Sequence, residues 1–78
     1  MKTMTCLQLG GACDKPFRAN TFEEIAEMSK QHGMEMFQQQ DAAHLAAIKK
    51  VQVMMSVPGA MEKWYETKRQ EFESLPES

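Results

Sequence analysis

The stretch Cys6-Leu7-Gln8-Leu9-Gly10-Gly11-Ala12-Cys13 decides how the N-terminal part of this chain folds. Gly10-Gly11 supplies the positive φ angles of a two-residue hairpin turn, with extended chain on either side. Such a turn sets the register: Leu9 faces Ala12, Gln8 faces Cys13 and Cys6 faces Lys15. Side chains alternate along a strand, so Met4, Cys6, Gln8, Cys13 and Phe17 share one face and the two sulfurs become diagonal neighbours. Pro16 lacks an amide proton, which places the second strand at an edge or a bend. The expected hairpin spans about residues 2–19.

Beyond the hairpin the apolar spacing changes from two to three and four. Thr21 followed by Glu24 is a capping box, in which each residue satisfies an orphan amide at a helix start. Phe22, Ile25, Met28 or Ser29, His32 and Met36 then form one helical face, and a first helix is expected over about residues 22–39. Gly33 either interrupts this helix or ends its regular part. Asp41 is a good N-cap for a second helix over about residues 42–55, with an apolar stripe of Leu45, Ile48, Val51 and Met55. Ser56-Val57-Pro58-Gly59 breaks that pattern, and Pro58 suits the first turn of a third helix over about residues 58–74. Leu75-Pro76-Glu77-Ser78 reads as a frayed tail. The expected architecture is α+β, an N-terminal β-hairpin followed by three α-helices in a single small domain of 78 residues.

Size and composition narrow the function. A chain of 78 residues has room for one core, and a domain this small gains from a metal, a disulfide or a partner chain. An apolar share of 42% with 26% charged residues is that of a globular protein rather than a disordered one. The net charge is −2, and the pairs Lys49-Lys50 and Lys68-Arg69 sit within helical patterns, so no basic stripe for a phosphate backbone arises and no nucleic acid is expected. Met1-Lys-Thr-Met-Thr-Cys6 carries no apolar run of signal-peptide length and no window has the length of a membrane span, so a cytoplasmic protein without a membrane partner is expected. A reducing cytosol favours free or metal-bound thiols over a permanent disulfide.

Cys6-x-x-Leu9-Gly10-x-x-Cys13, followed by Phe17, Ala19, Thr21-x-Glu23-Glu24 and His32, resembles a family of small bacterial and archaeal proteins. That family is a domain of unknown function whose members are described as predicted small metal-binding proteins. The resemblance covers the chain up to Gln38-Gln39-Gln40. Lys15-Pro16 is extra relative to the family pattern, and Met34, Met36 and Phe37 stand where a second His is common. What the resemblance implies is a metal site in the N-terminal half.

The residues themselves allow a zinc site built from the Cys6 and Cys13 thiolates with His32 as third ligand, because zinc takes four tetrahedral ligands drawn from sulfur and imidazole nitrogen. His32 follows Ile25 on the apolar stripe and faces the hairpin. His44 is the remaining histidine and the natural fourth ligand, although it opens a different helix; water or a carboxylate such as Asp14 would otherwise fill the position. The role would be structural or storage. Three other readings stand beside this one. The cysteines could be small buried apolar residues and His32 a core histidine, with the helices forming a protein-interaction or self-association module through Trp64, Tyr65 and Phe72. The thiols could form a redox couple, although neither starts a helix. Eight methionines, with His32-Gly33-Met34-Glu35-Met36 among them, suggest copper(I), but Met34 and Met36 converge only if the helix unwinds at Gly33. No catalytic constellation is evident, so an enzyme is not expected.

Overall fold

The computed structural model describes residues 1–77; Ser78 lies outside the described residues. Two strands, β1 (Lys2–Thr5) and β2 (Pro16–Ala19), are followed by helices α1 (Phe22–Gln38), α2 (Ala42–Met55) and α3 (Ala60–Ser74). The expected α+β order of a hairpin and three helices is what the chain adopts. The strands pair antiparallel, with Lys2 opposite Ala19, Met4 opposite Phe17 and Thr5 opposite Pro16. This is the register that a turn at Gly10-Gly11 dictates. The ladder nevertheless stops early: after Thr5 the chain curls into a 3-10 turn at Leu7–Leu9, closed by Gly10 at φ 91°. Gln8 therefore leaves the shared face. Its side chain caps the turn instead, accepting from the Thr5 amide at 2.8 Å while its own amide donates to the Thr5 hydroxyl at 3.2 Å. Pro16 falls at the first position of β2, where a missing amide proton costs least.

Each helix begins and ends for a local reason. Thr21 accepts from the Glu24 amide at 3.3 Å, the first half of the capping box read from the sequence, while the Glu24 carboxylate accepts from the Thr21 hydroxyl at 3.1 Å rather than from its amide. The helix that follows runs through Gly33 without a break to Gln38. Gln40 closes it in the left-handed region at φ 58°, and the Asp41 amide donates back to the Met36 carbonyl at 3.2 Å. Asp41 then caps α2, accepting from the His44 amide at 3.0 Å, so one residue ends the first helix connection and starts the next helix. The third helix starts two residues later than expected. Val57 to Ala60 form a type II turn with Pro58 second and Gly59 third at φ 79°, closed by the Ala60 amide on the Val57 carbonyl at 3.1 Å. Pro58 thus precedes the helix rather than opening it.

The core is small: Met4, Cys6, Leu9, Phe17, Ala19, Phe22, Ile25 and Phe72, joined by the half-buried Tyr65 and Leu75. Phe22 meets Tyr65 edge-on with ring centroids 5.0 Å apart and lies 6.0 Å from Phe72. Helices α1 and α3 are thereby seated on the hairpin. Within the described part of the expected frayed tail, Leu75 packs on the core and Glu77 pairs with the N-terminal amine at 2.5 Å. Helix α2, unlike the other two, buries no apolar side chain. Its stripe residues Leu45, Ile48 and Val51 are only half-buried, Met55 is 45% exposed, and its sole buried side chain is His44. The fold is flat, 33 × 29 × 15 Å, because nothing covers the outer side of α2.

Candidate metal centre

The loop between the strands is shaped around sulfur. The Cys6 amide continues the ladder by one step, donating to the Lys15 carbonyl at 2.9 Å, and the Leu7 amide donates to the Cys13 carbonyl at 2.9 Å. The amides of Leu9 and Gly11 then both turn onto the Cys6 carbonyl, at 3.1 and 2.8 Å. With the loop wound this way, the backbone amides of Cys13 and Ala12 favour the ionised form of the Cys6 thiol, and that of Lys15 does the same for Cys13. Amide protons aimed at a thiol favour its ionised form. Gly11 is required for the winding: a Cβ there would lie 2.1 Å from the Cys6 Sγ, well inside contact distance.

Two helices bring imidazoles to these sulfurs. His32, the eleventh of the 17 residues of α1, places its Nε2 3.3 Å from the Cys13 Sγ. His44, in the first turn of α2, places its Nε2 3.8 Å from the Cys6 Sγ. The two rings meet edge-on with centroids 5.1 Å apart, and Phe17 packs against His32 at 5.8 Å. One ligand atom from each of Cys6, Cys13, His32 and His44 lies within 4.8 Å of all the others. Cys6, His32 and His44 are buried and Cys13 is half-buried, and both thiols are free.

This geometry has the dimensions of a metal site. Zinc bonds of about 2.3 Å to sulfur and about 2.0–2.1 Å to nitrogen require tetrahedral edges of roughly 3.4–3.8 Å. The two sulfur–nitrogen contacts, at 3.3 and 3.8 Å, are close to that range, and no ligand-atom pair is more than 4.8 Å apart. Two thiolates would also neutralise a divalent ion, which suits a mostly buried centre.

The electrostatics sort the four groups. Burial pushes the Cys6 thiol above its ordinary value, with the Cys13 and Ala12 amides opposing. The Lys15 amide, followed by contacts with His44 and Cys6, pulls the Cys13 thiol down against its burial. Burial and the neighbouring His44 lower His32. His44 is raised, chiefly by Asp41, whose Oδ2 lies 2.5 Å from its Nδ1, and the same bond lowers Asp41. A carboxylate on Nδ1 fixes the tautomer that leaves Nε2 free toward the sulfurs.

All four candidate ligands named from the sequence converge. His44, which the sequence placed awkwardly on another helix, joins the others because Asp41 starts α2 directly at the end of α1. Asp14 is exposed and stays out of the cluster. Met34 and Met36 do not join it either: the helix is unbroken at Gly33, so they point roughly 200° apart, and Met34 is 55% exposed. Sequence reading credited Asp41 with the helix cap alone and Gly11 with the turn alone. The pattern Asp-x-x-His at a helix start was the signal for the first role, since an N-cap carboxylate lies beside the side chain three residues on. Phe72, expected on a partner-binding face, is a core residue at 3% exposure. No described helix is long and apolar enough to cross a membrane. Comparison with known protein families, curated proteins and solved structures finds no match for this chain.

Proposed function

We infer that the protein binds one zinc ion through Cys6, Cys13, His32 and His44, and that the ion acts as a structural staple. The observation that carries this reading is the convergence of four ligand atoms within 4.8 Å from three separate parts of the fold. Two sulfurs with two imidazole nitrogens in a compact cluster suit zinc better than a harder or octahedral ion. Four protein ligands fill a tetrahedral shell and leave no position for water or substrate, which favours a structural over a catalytic role. The centre also lies where the fold needs it: α2 buries one side chain, and that side chain is a ligand. Metal binding would tie α2 to the hairpin and α1 and would contribute directly to folding. The resemblance of the N-terminal half to predicted small metal-binding proteins points the same way.

Native mass spectrometry tests this on protein purified without chelator or added metal. One zinc per chain is expected, lost in Cys6→Ser and in His44→Ala. A chain that carries no metal, takes up none when zinc is supplied, and melts at the same temperature with and without chelator would overturn it. Formation of a Cys6–Cys13 disulfide in such a metal-free chain under mild oxidant would favour a thiol redox protein instead.

A further inference from the structure

Beside the metal centre runs a groove of about 740 Å³, walled by α1, α2 and α3. Phe22 and Ala26 form one wall, Ile48 and Val51 a second, and Trp64 and Tyr65 a third. This is far more space than a metal ion needs, and its lining is mostly apolar. Such a surface on a domain with so small a core is a face that another surface covers.

We propose that a second copy of this chain occupies the groove, forming a two-fold symmetric dimer that packs across the exposed faces of α1 and α2. Two observations favour a copy over a foreign partner. First, the apolar side chains suited to filling the groove stand on its own rim and the adjoining corner: Met55 is 45% exposed, Met61 41%, Val53 65% and Val57 57%. A two-fold axis places the knob of each copy opposite the groove of the other, which is what an isologous interface requires. Second, the charges on the rim are self-complementary. Glu23, Glu27 and Lys30 line the groove along one side of α1, and none of them has a salt-bridge partner among the described residues. In antiparallel packing across a two-fold axis, Glu27 of each copy meets Lys30 of the other, one helical turn apart on its own chain. The flat 15 Å slab would then become a two-layer helical assembly with α2 inside it.

Cys6, His32 and His44 also line this groove, but the contacts that define the dimer, at Met55, Val57, Glu27 and Lys30, lie outside the four ligands, so its failure and that of the zinc reading are read separately. Sedimentation equilibrium of the full chain, zinc-loaded and chelator-treated, tests it over a range of concentrations. A species of twice the 8.9 kDa chain mass is expected at the upper concentrations. Met55→Lys and Val57→Glu, both at exposed positions and so tolerated by the monomer, should each weaken association at least tenfold while leaving helical content and metal content unchanged. Lys30→Glu should weaken it also, and adding Glu27→Lys to the same chain should restore it. A monomer at every concentration overturns the proposal, as does a dimer indifferent to Met55→Lys and Val57→Glu. A monomer whose groove takes up an apolar dye would instead assign the groove to a small apolar ligand.

Discussion

Asp41 and His44 are joined twice: the Asp41 carboxylate accepts the His44 amide at 3.0 Å and contacts its ring Nδ1 at 2.5 Å. A helix cap and a ligand orienter are thus the same carboxylate. Asp41→Asn should keep the cap, because an amide oxygen still accepts the backbone proton. It should lose the charge that raises imidazole basicity and lower zinc affinity by about 10–100-fold. Competition with a chromophoric chelator measures this, and Asp41→Asn with wild-type affinity would remove Asp41 from the metal centre.

Gly10 and Gly11 are adjacent and should respond differently. Gly10→Ala places a Cβ in open space but at φ 91°, so a stability loss of about 1 kcal/mol is expected with metal binding retained. Gly11→Ala drives a methyl into the Cys6 sulfur and should abolish tight metal binding. Metal titration and chemical denaturation of the two variants separate these outcomes.

The two histidines of the metal-free protein should titrate in opposite directions from the ordinary value near 6.5. His44 is raised by Asp41, so its contribution to stability is full below the unfolded histidine pKa and is lost as pH rises through its folded value. His32 is lowered by burial, so protonation of the unfolded chain costs stability as pH falls below about 6.5. Long-range nitrogen–proton NMR spectra across this range read both. Zinc affinity should fall with acidification, since both thiols and His44 must release protons to bind.

Chelation should loosen α2 before the rest. Hydrogen exchange in Ala42–Met55 should accelerate on metal removal, while Phe22 to Ala26 and β2, held by the core, stay protected. Uniform loss of protection would make the metal necessary for the whole fold rather than for one helix.

Ile25 is fully buried, and Ile25→Ala should cost about 2–5 kcal/mol. A core this small supplies no more than roughly 3–5 kcal/mol, so the metal-free variant should be largely unfolded at room temperature. Excess zinc should refold it, because a ligand of the native state adds stability by mass action. Circular dichroism with and without zinc checks this.

Much of the fold was legible because its signals are local. The strand register, from Lys2 opposite Ala19 to Thr5 opposite Pro16, is the one a Gly10-Gly11 turn implies, although that two-residue turn is replaced by a wound loop in which only Gly10 takes a positive φ. Thr21 with Glu24 marked the start of α1, and Asp41 the start of α2. The interior of the loop was not legible. Whether Cys6 to Cys13 continues as a ladder or winds around a sulfur depends on amide–thiol contacts that have no periodic signature. Pro58-Gly59 misled for a related reason, since proline serves a helix start and a type II turn equally well.

The sequence by itself determined the element order, the caps of α1 and α2, and the four candidate ligands Cys6, Cys13, His32 and His44, through turn chemistry, apolar spacing and residue type. Tertiary structure alone decided that His44 meets the other three. Where its imidazole points depends on the angle at which α2 leaves α1, and that angle follows from the left-handed Gln40 and the closure of Asp41 onto Met36. It likewise decided that α2, despite a regular apolar stripe, stays half uncovered. A stripe records which face is apolar, whereas burial requires another surface to meet it, and in this fold α1 and α3 have already taken the hairpin.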